Sequence, residues 1–209
     1  MDLTVFDSLL LPKIIDDLVA RHWSVCERFL PDDSVQQLVR EADEFWRDGS
    51  FTPAGVGQGE NFKIRPEIRG DHVWWWDAEK LSPAQKNYGD AIESLRLKLN
   101  QEVFLSLRDF EAHYTVYSAG TFYKKHLDQF RATTQRVISC IFYLNQEWQS
   151  SYGGQLRIYD AARPESFTDI LPVAGTFVCF RSDTIYHEVL PATRERFSLT
   201  GWLRKAGLY

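Results

Sequence analysis

The chain has 209 residues, 44% of them hydrophobic and 25% charged, with a formal net charge of -5 at pH 7. That length and balance fit one globular domain spanning 1–209 with a real core. The absence of a basic run, a repeat or a low-complexity tract argues against a nucleic-acid-binding or fibrous chain. Cys26, Cys140 and Cys179 are far apart and odd in number, so they predict neither a disulfide framework nor a CxxC metal knot. A reducing, cytoplasmic location follows. The short Leu9-Leu10-Leu11 run, with Asp2 and Asp7 before it, reads as neither a signal peptide nor a membrane span.

In chain order, residues 10–20 predict a short helix from about Pro12, with Ile14, Ile15, Leu18 and Val19 on its packing side. Residues 23–29 predict a strand. Asp32-Asp33-Ser34 predicts the cap of a second helix carrying Val35, Leu38, Val39, Ala42, Phe45 and Trp46, and ending at Gly49. Residues 52–72 contain Gly55, Gly57 and Gly59, but no strand–turn–helix context supports a phosphate loop. An active-site lid is the expectation there. In the run Trp74-Trp75-Trp76, Trp75 is expected to point opposite to its neighbours. Ser82-Pro83 opens the longest predicted helix, about 83–100, which packs through Tyr88, Ile92, Leu95 and Leu99. From residue 111 the pattern changes to strand-length segments at 111–118, 134–144, 154–159, 167–171, 175–180, 184–190 and 195–203. The fold class is therefore α+β with a mainly β core, a jelly roll with N-terminal and central supporting helices.

The chemistry gathers around Tyr123-Lys-Lys-His126-Leu-Asp128. In extended backbone, positions i and i+2 share a face, so His126 and Asp128 can reach one point. His187 arrives from another strand. Two imidazoles and a carboxylate form the facial triad of non-haem Fe(II) oxygenases. His22 and His113 read as core or surface residues rather than ligands, and His72 is undecided. On the last strand Arg196, Ser198, Thr200 and Trp202 share one face, opposite Phe197, Leu199 and Leu203. Arg196 either faces solvent or lines a barrel interior, where a buried guanidinium requires an anion such as a carboxylate. On 136–144, Ile141 and Tyr143 share a face. Tyr143 is either a core residue or a second donor to that anion.

These motifs resemble the 2-oxoglutarate and Fe(II)-dependent prolyl hydroxylases, in particular the intracellular branch that includes the hypoxia-inducible-factor prolyl hydroxylases and their bacterial relatives. The matching stretches are Arg69-Gly-Asp71, Tyr117-Ser-Ala-Gly, Tyr123 to Asp128, Cys140-Ile-Phe-Tyr143-Leu-Asn145, Gly153-Gly-Gln-Leu-Arg-Ile158, His187-Glu-Val-Leu-Pro191 and Arg196 to Trp202. They occur in family order across about residues 25–205. The resemblance implies a double-stranded β-helix. It implies Fe(II) on His126, Asp128 and His187, with 2-oxoglutarate and O2 as cosubstrates and ascorbate as reductant. Arg196 and Tyr143 would hold the distal carboxylate of 2-oxoglutarate, while Tyr117, Ile141, Leu156, Thr200 and Trp202 would line its pocket. Arg69, Asp71 and Arg136 match positions near the peptide entrance. The implied reaction is hydroxylation of a prolyl residue in an intracellular protein such as a transcription or translation factor, by a monomer with neither membrane nor nucleic-acid contacts, in a family tied to oxygen sensing. Oxidative decarboxylation of 2-oxoglutarate to succinate and CO2 accompanies it. The chain departs from the family in its loops: Ser-Ala-Gly follows Tyr117 where animal relatives carry Pro-Gly, and the 52–68 segment is its own.

Three rivals remain. A halogenase would need the position of Asp128 for its halide. A hydroxylase of a free amino acid or other small molecule would use the same core under a tighter lid. A non-catalytic metal-binding barrel would have no use for Arg196 and Tyr143 beside the triad.

Overall fold

In the computed structural model, residues 9–57, 62–129 and 134–207 are described. Asp2, Asp7 and Gly59 lie outside them. Helix α1 (Leu11–Arg21) buries Leu11, Ile14, Ile15 and Leu18. Val19 does not pack as expected: one step around the helix from that stripe, it is 60% exposed. Strand β1 (Trp23–Cys26) stops short of the predicted end, because Arg28 takes a left-handed φ of 54°. That turn swings Phe29 into the core, where it stacks on Phe177 at 4.0 Å between ring centroids.

Helix α2 (Asp32–Arg47) begins after Pro31 with no side-chain cap, so the expected Asp32-Asp33-Ser34 cap is not used. Asp32 and Asp33 lie inside the first turn instead, where their charges complement the positive end of the helix dipole. Gly49, with φ 79°, follows the helix end as expected. Helix α3 (Pro83–Glu102) carries a full capping box between Ser82 and Gln85 and fully buries Tyr88, Ile92, Leu95 and Leu99. Ser82, Gln85 and the Tyr114 hydroxyl all donate to the Glu41 carboxylate, pinning α2, α3 and the sheet together.

The remaining strands are β2 (Thr52–Pro53), β3 (Asp71–Trp75), β4 (Leu107–Tyr117), β5 (Tyr123–His126), β6 (Arg136–Tyr143), β7 (Leu156–Tyr159), β8 (Phe167–Ile170), β9 (Phe177–Arg181), β10 (His187–Val189) and β11 (Arg196–Lys205). They form a seven-stranded sheet in the order β1-β9-β6-β11-β4-β3-β2 and a four-stranded sheet in the order β5-β10-β7-β8. Both are antiparallel throughout. This is the double-stranded β-helix.

Alternation along the strands creates two cores. Cys140, Phe142, Leu199 and Leu203 face the helices on the outside of the large sheet. Ile141, Tyr143, Val178 and Phe180 face inward and meet Leu156, Ile158 and Val189 of the small sheet. Trp74 and Trp76 join the outer core around Tyr114, while Trp75 turns the opposite way onto His113 and Trp202, as alternation requires. The Gly-rich loop after β2 is tethered at both sides, because Val56 bridges Lys63.

Candidate active site

The inner space between the sheets holds a cavity of about 100 Å³, lined by every residue of the expected site except Tyr143. Strands β5 and β10 are direct neighbours, with His126 opposite His187. Their ring centroids stand 4.2 Å apart. Asp128, two residues beyond His126 on the turn after β5, brings its Oδ1 to 3.5 Å from His126 Nε2 and 3.7 Å from His187 Nε2. The three ligand atoms lie within 4.8 Å of one another, the only such group among the described residues.

Each member is oriented by a partner. His126 Nδ1 lies 2.7 Å from the Lys124 carbonyl and His187 Nδ1 lies 3.2 Å from the Ile185 carbonyl. A carbonyl only accepts, so Nδ1 carries the proton in both rings and each Nε2 keeps its lone pair for a metal. Asp128 Oδ2 accepts from Ser139 Oγ at 2.6 Å and from Trp202 Nε1 at 3.0 Å, leaving Oδ1 for the metal. Burial alone would raise the Asp128 pKa, yet the facing His187 and His126 and the Ser139 hydroxyl hold it well below the usual carboxylate range. Burial, aided by the facing His126, pushes His187 down to about 4, so its imidazole is neutral and ligand-ready at physiological pH.

At the other side of the cavity, Arg196 is one of the largest fully buried side chains in the protein. Its Nε donates to the Gly154 carbonyl at 2.8 Å. Gly154 has φ 72°, and a Cβ added there would stand 3.3 Å from Arg196 Cδ, so glycine is what lets the backbone approach. Arg196 Nη2 and the Tyr143 hydroxyl are both buried, and among the described residues neither makes a hydrogen bond of good geometry, although the guanidinium and the phenol lie side by side. The guanidinium carbon lies 5.0 Å from the Tyr143 ring centroid and 5.3 Å from that of Tyr117. Burial raises the Tyr143 pKa to about 12, so it presents a proton. A buried cation that keeps an unused N–H donor beside a buried phenol donor is the signature of an anion site.

Tyr117, Ile141, Leu156, Thr200 and Trp202 line the space between this anion site and the triad. Arg69, Asp71 and Arg136 line the same cavity. Arg69 grips Asp71 through two hydrogen bonds at 2.8 and 2.5 Å, and Arg136 stacks 3.4 Å from the Trp202 ring centroid while donating to Glu111. Trp202 thus does more than line a pocket, since it ties β11 to Asp128. Sequence reasoning passed over three further residues. His113 and Thr115 share the inner face of β4 with Tyr117 and line the cavity, and Ser139 shares the face of Ile141 and holds Asp128. Strand alternation counted from Tyr117 and from Ile141 would have found all three.

The donor set of His126, Asp128 and His187, with the buried Arg196 and Tyr143 groups, fits a divalent transition metal beside a small diacid. Comparison with known proteins agrees. The family model described as the 2OG-Fe(II) oxygenase superfamily matches residues 112–204. A solved Pseudomonas putida prolyl-4-hydroxylase is 43% identical, with a TM-score of 0.86, over 94% of this chain and 100% of that one. The chain belongs to the 2OG-Fe(II) oxygenase superfamily, whose members use Fe(II) and 2-oxoglutarate with O2. Among its relatives, the hypoxia-inducible factor prolyl hydroxylase of Caenorhabditis elegans is 29% identical over 86% of this chain and 26% of its own length. Egl nine homolog 1 of Mus musculus is 29% identical over 85% of this chain and 45% of its own length. The chain therefore spans about a quarter to a half of these curated relatives. A prolyl hydroxylase from Trichoplax adhaerens in complex with a hypoxia-inducible factor peptide, at 22% identity and a TM-score of 0.85, shares the fold. Among the described residues, no helix is long and apolar enough to cross a membrane.

Proposed function

We propose that this chain hydroxylates a prolyl residue within a polypeptide, consuming 2-oxoglutarate and O2 and releasing succinate and CO2. The observation that carries this is the pairing, in one cavity, of the His126–Asp128–His187 cluster with the buried Arg196 and Tyr143 groups. Full-length similarity to a bacterial prolyl-4-hydroxylase supports the choice of proline. His126 Nε2, Asp128 Oδ1 and His187 Nε2 would hold Fe(II), which when bound supplies the activation of O2. Arg196 would form the salt bridge to the distal carboxylate of 2-oxoglutarate, and Tyr143 would donate a hydrogen bond to the same group. Tyr117, Ile141, Leu156, Thr200 and Trp202 shape the wall that keeps water away from the reacting atoms. Arg69, Asp71 and Arg136 stand at the mouth, where the substrate chain enters.

A polypeptide, rather than free proline, is favoured by the outer groove. A second cavity of about 420 Å³ shares Gly55, Gly57, Arg69, His113, Arg136 and Trp202 with the inner one and extends past Phe62 and Trp75 to Arg204. Free proline has no atoms to fill it. An intracellular protein, such as a translation or transcription factor, is the substrate class this reading takes, met by a monomeric cytoplasmic enzyme. The test is turnover of 2-oxoglutarate by the recombinant protein with free proline and with proline-containing proteins, followed by mass spectrometry for one added oxygen on proline. Free hydroxyproline as the sole product would refute the protein substrate. Deleting residues 54–59 is expected to damage turnover of the protein substrate far more than uncoupled 2-oxoglutarate decarboxylation.

A further inference from the structure

The metal-ligand histidine is braced from a side that the catalytic cluster does not explain. His126 lies flat against Tyr123, with ring centroids 3.5 Å apart and planes within 15°. Residues three apart on a regular strand face opposite ways. Here the β5–β10 pairing is irregular between its two registered pairs, His126↔His187 and Tyr123↔Val189, and both rings reach the inner cavity. The other partner of Tyr123 is Arg69, whose guanidinium carbon sits 4.4 Å from the Tyr123 ring centroid.

Arg69 has little freedom left for any other task. Its Nε and Nη2 donate to the two oxygens of Asp71, whose side chain is fully buried, and its Nη1 lies 3.4 Å from the Gly55 carbonyl. The backbone around it is bracketed too. Arg69 bridges Tyr123, Gly70 N–H donates to the Phe122 carbonyl and Lys124 N–H donates to the Ile68 carbonyl. Gly70 is required for that approach, because a Cβ there would meet Thr121 Cβ at 2.8 Å. A planar cation fixed by a bidentate carboxylate is suited to stacking on an aromatic face.

We propose that Tyr123 is a positioning residue for His126, and that the Arg69–Asp71 pair acts through Tyr123 by clamping its ring rather than by binding substrate. The inference rests on His126 being a metal ligand, as in the function proposed above. The Lys124 carbonyl holds His126 Nδ1 at one point, which leaves the ring free to roll about that hydrogen bond. Tyr123 removes this rotation, so Nε2 stays aimed at the point shared with Asp128 Oδ1 and His187 Nε2. Because Arg69 also reaches Gly55, the stack joins the start of the Gly-rich loop to the metal site.

The test uses Tyr123→Phe, Tyr123→Leu and Arg69→Lys, with thermal unfolding of the metal-free protein as the check on folding. In the metal-free protein, the His126 ring protons should show an upfield NMR shift from the Tyr123 ring current. Tyr123→Phe should keep that shift, and Tyr123→Leu should abolish it. Co(II) affinity, measured calorimetrically without cosubstrate, should fall about 10-fold or more in Tyr123→Leu, the usual scale for losing a residue that orients a ligand. It should fall less than about 3-fold in Tyr123→Phe, with Arg69→Lys between the two. A folded Tyr123→Leu protein with undiminished Co(II) affinity would overturn the proposal. So would a Tyr123→Phe protein as impaired as Tyr123→Leu, since the phenol rather than the ring face would then matter. Neither readout involves proline or turnover, so a different substrate would leave them unchanged. A chain that binds no metal even as wild type would instead refute the functional reading.

Discussion

Tyr143→Phe is expected to move stability and ligand binding in opposite directions. In the ligand-free protein the Tyr143 hydroxyl is fully buried and, among the described residues, makes no hydrogen bond of good geometry, with only the Arg196 guanidinium beside it, so deleting it sacrifices little. It removes instead the cost of a desolvated polar group, about 1–3 kcal/mol. For a protein of this size each kcal/mol is worth roughly 2–4 °C in Tm, so the ligand-free variant should melt several degrees higher. With 2-oxoglutarate the sign reverses. A hydrogen bond to a charged carboxylate is lost, worth about 1.5–3 kcal/mol, or roughly 10- to 150-fold in Kd. Arg196→Ala should weaken binding more, by about 3–5 kcal/mol, because the distal carboxylate is then buried without a counter-charge. Metal binding should survive both changes, since neither side chain touches the triad. The assay pairs thermal unfolding in chelator with calorimetric titration of 2-oxoglutarate into the Mn(II) protein. A Tyr143→Phe protein that melts lower without ligand, or that binds 2-oxoglutarate as well as wild type, would refute the reasoning. So would a tyrosine change that costs more affinity than the arginine change.

His126→Ala and His187→Ala should each lose bound iron and all succinate production, because two ligands do not hold Fe(II) against water; iron assayed by mass spectrometry and retained in either variant contradicts the triad. Asp128→Gly should abolish hydroxylation while leaving weak metal binding. Trp202→Phe keeps an aromatic ring under Arg136 but removes the donor to Asp128 Oδ2, so metal affinity should fall about 10-fold; the Co(II) absorption spectrum should change as the freed oxygen competes for the metal, and an unchanged spectrum argues against the role. His113 supplies a pH test. Burial, with the nearby Arg69 charge, pushes its pKa from an ordinary 6.5 down to about 4. Between these values the unfolded chain binds the extra proton, so the stability His113 contributes is complete above about pH 6.5 and is lost as pH falls toward 4. Urea titrations at pH 7 and pH 5 should show wild type losing about 2 kcal/mol more than His113→Gln; equal losses would mean that His113 is not held neutral by the fold.

Period-two alternation made most of the site legible. It puts Arg196, Ser198, Thr200 and Trp202 on one face of β11, and Ile141 and Tyr143 on one face of β6, because a strand leaves a side chain only two directions. The same rule applied to β4 would have put His113 and Thr115 beside Tyr117. His113 reads as a core or surface histidine rather than a ligand, and it is buried and outside the ligand cluster, but its apolar neighbours hide that its side of β4 is the cavity side. What alternation cannot carry is a break in alternation. The Tyr123–His126 stack depends on irregular pairing between β5 and β10, and Arg28 and the uncapped start of α2 are local backbone choices of the same kind. Such choices are decided by what packs on the turn from outside, as Phe29 does on Phe177, and that information lies far away in the chain.

The division of the site between the two sheets has a physical consequence. The triad rides on β5, β10 and the turn after β5, at one edge of the four-stranded sheet, whereas Arg196 and Tyr143 belong to β11 and β6 at the centre of the seven-stranded sheet. The small sheet alone would carry metal ligands without an anion partner, and the large sheet alone would bury an uncompensated guanidinium. Among the described residues two hydrogen bonds from the large sheet reach the triad, from Ser139 and Trp202, and both end on Asp128 Oδ2, while Phe180 of β9 packs its ring against His187 at 4.5 Å between centroids. Under the function proposed above, Asp128 is thus the joint at which the metal-binding edge would be registered against the cosubstrate-binding face. A Ser139→Ala, Trp202→Phe double variant should therefore lose more coupled hydroxylation than either single change predicts, because once both hydrogen bonds are gone neither sheet fixes where the carboxylate points. Separately measured metal and 2-oxoglutarate affinities should each fall by less than the coupled turnover does.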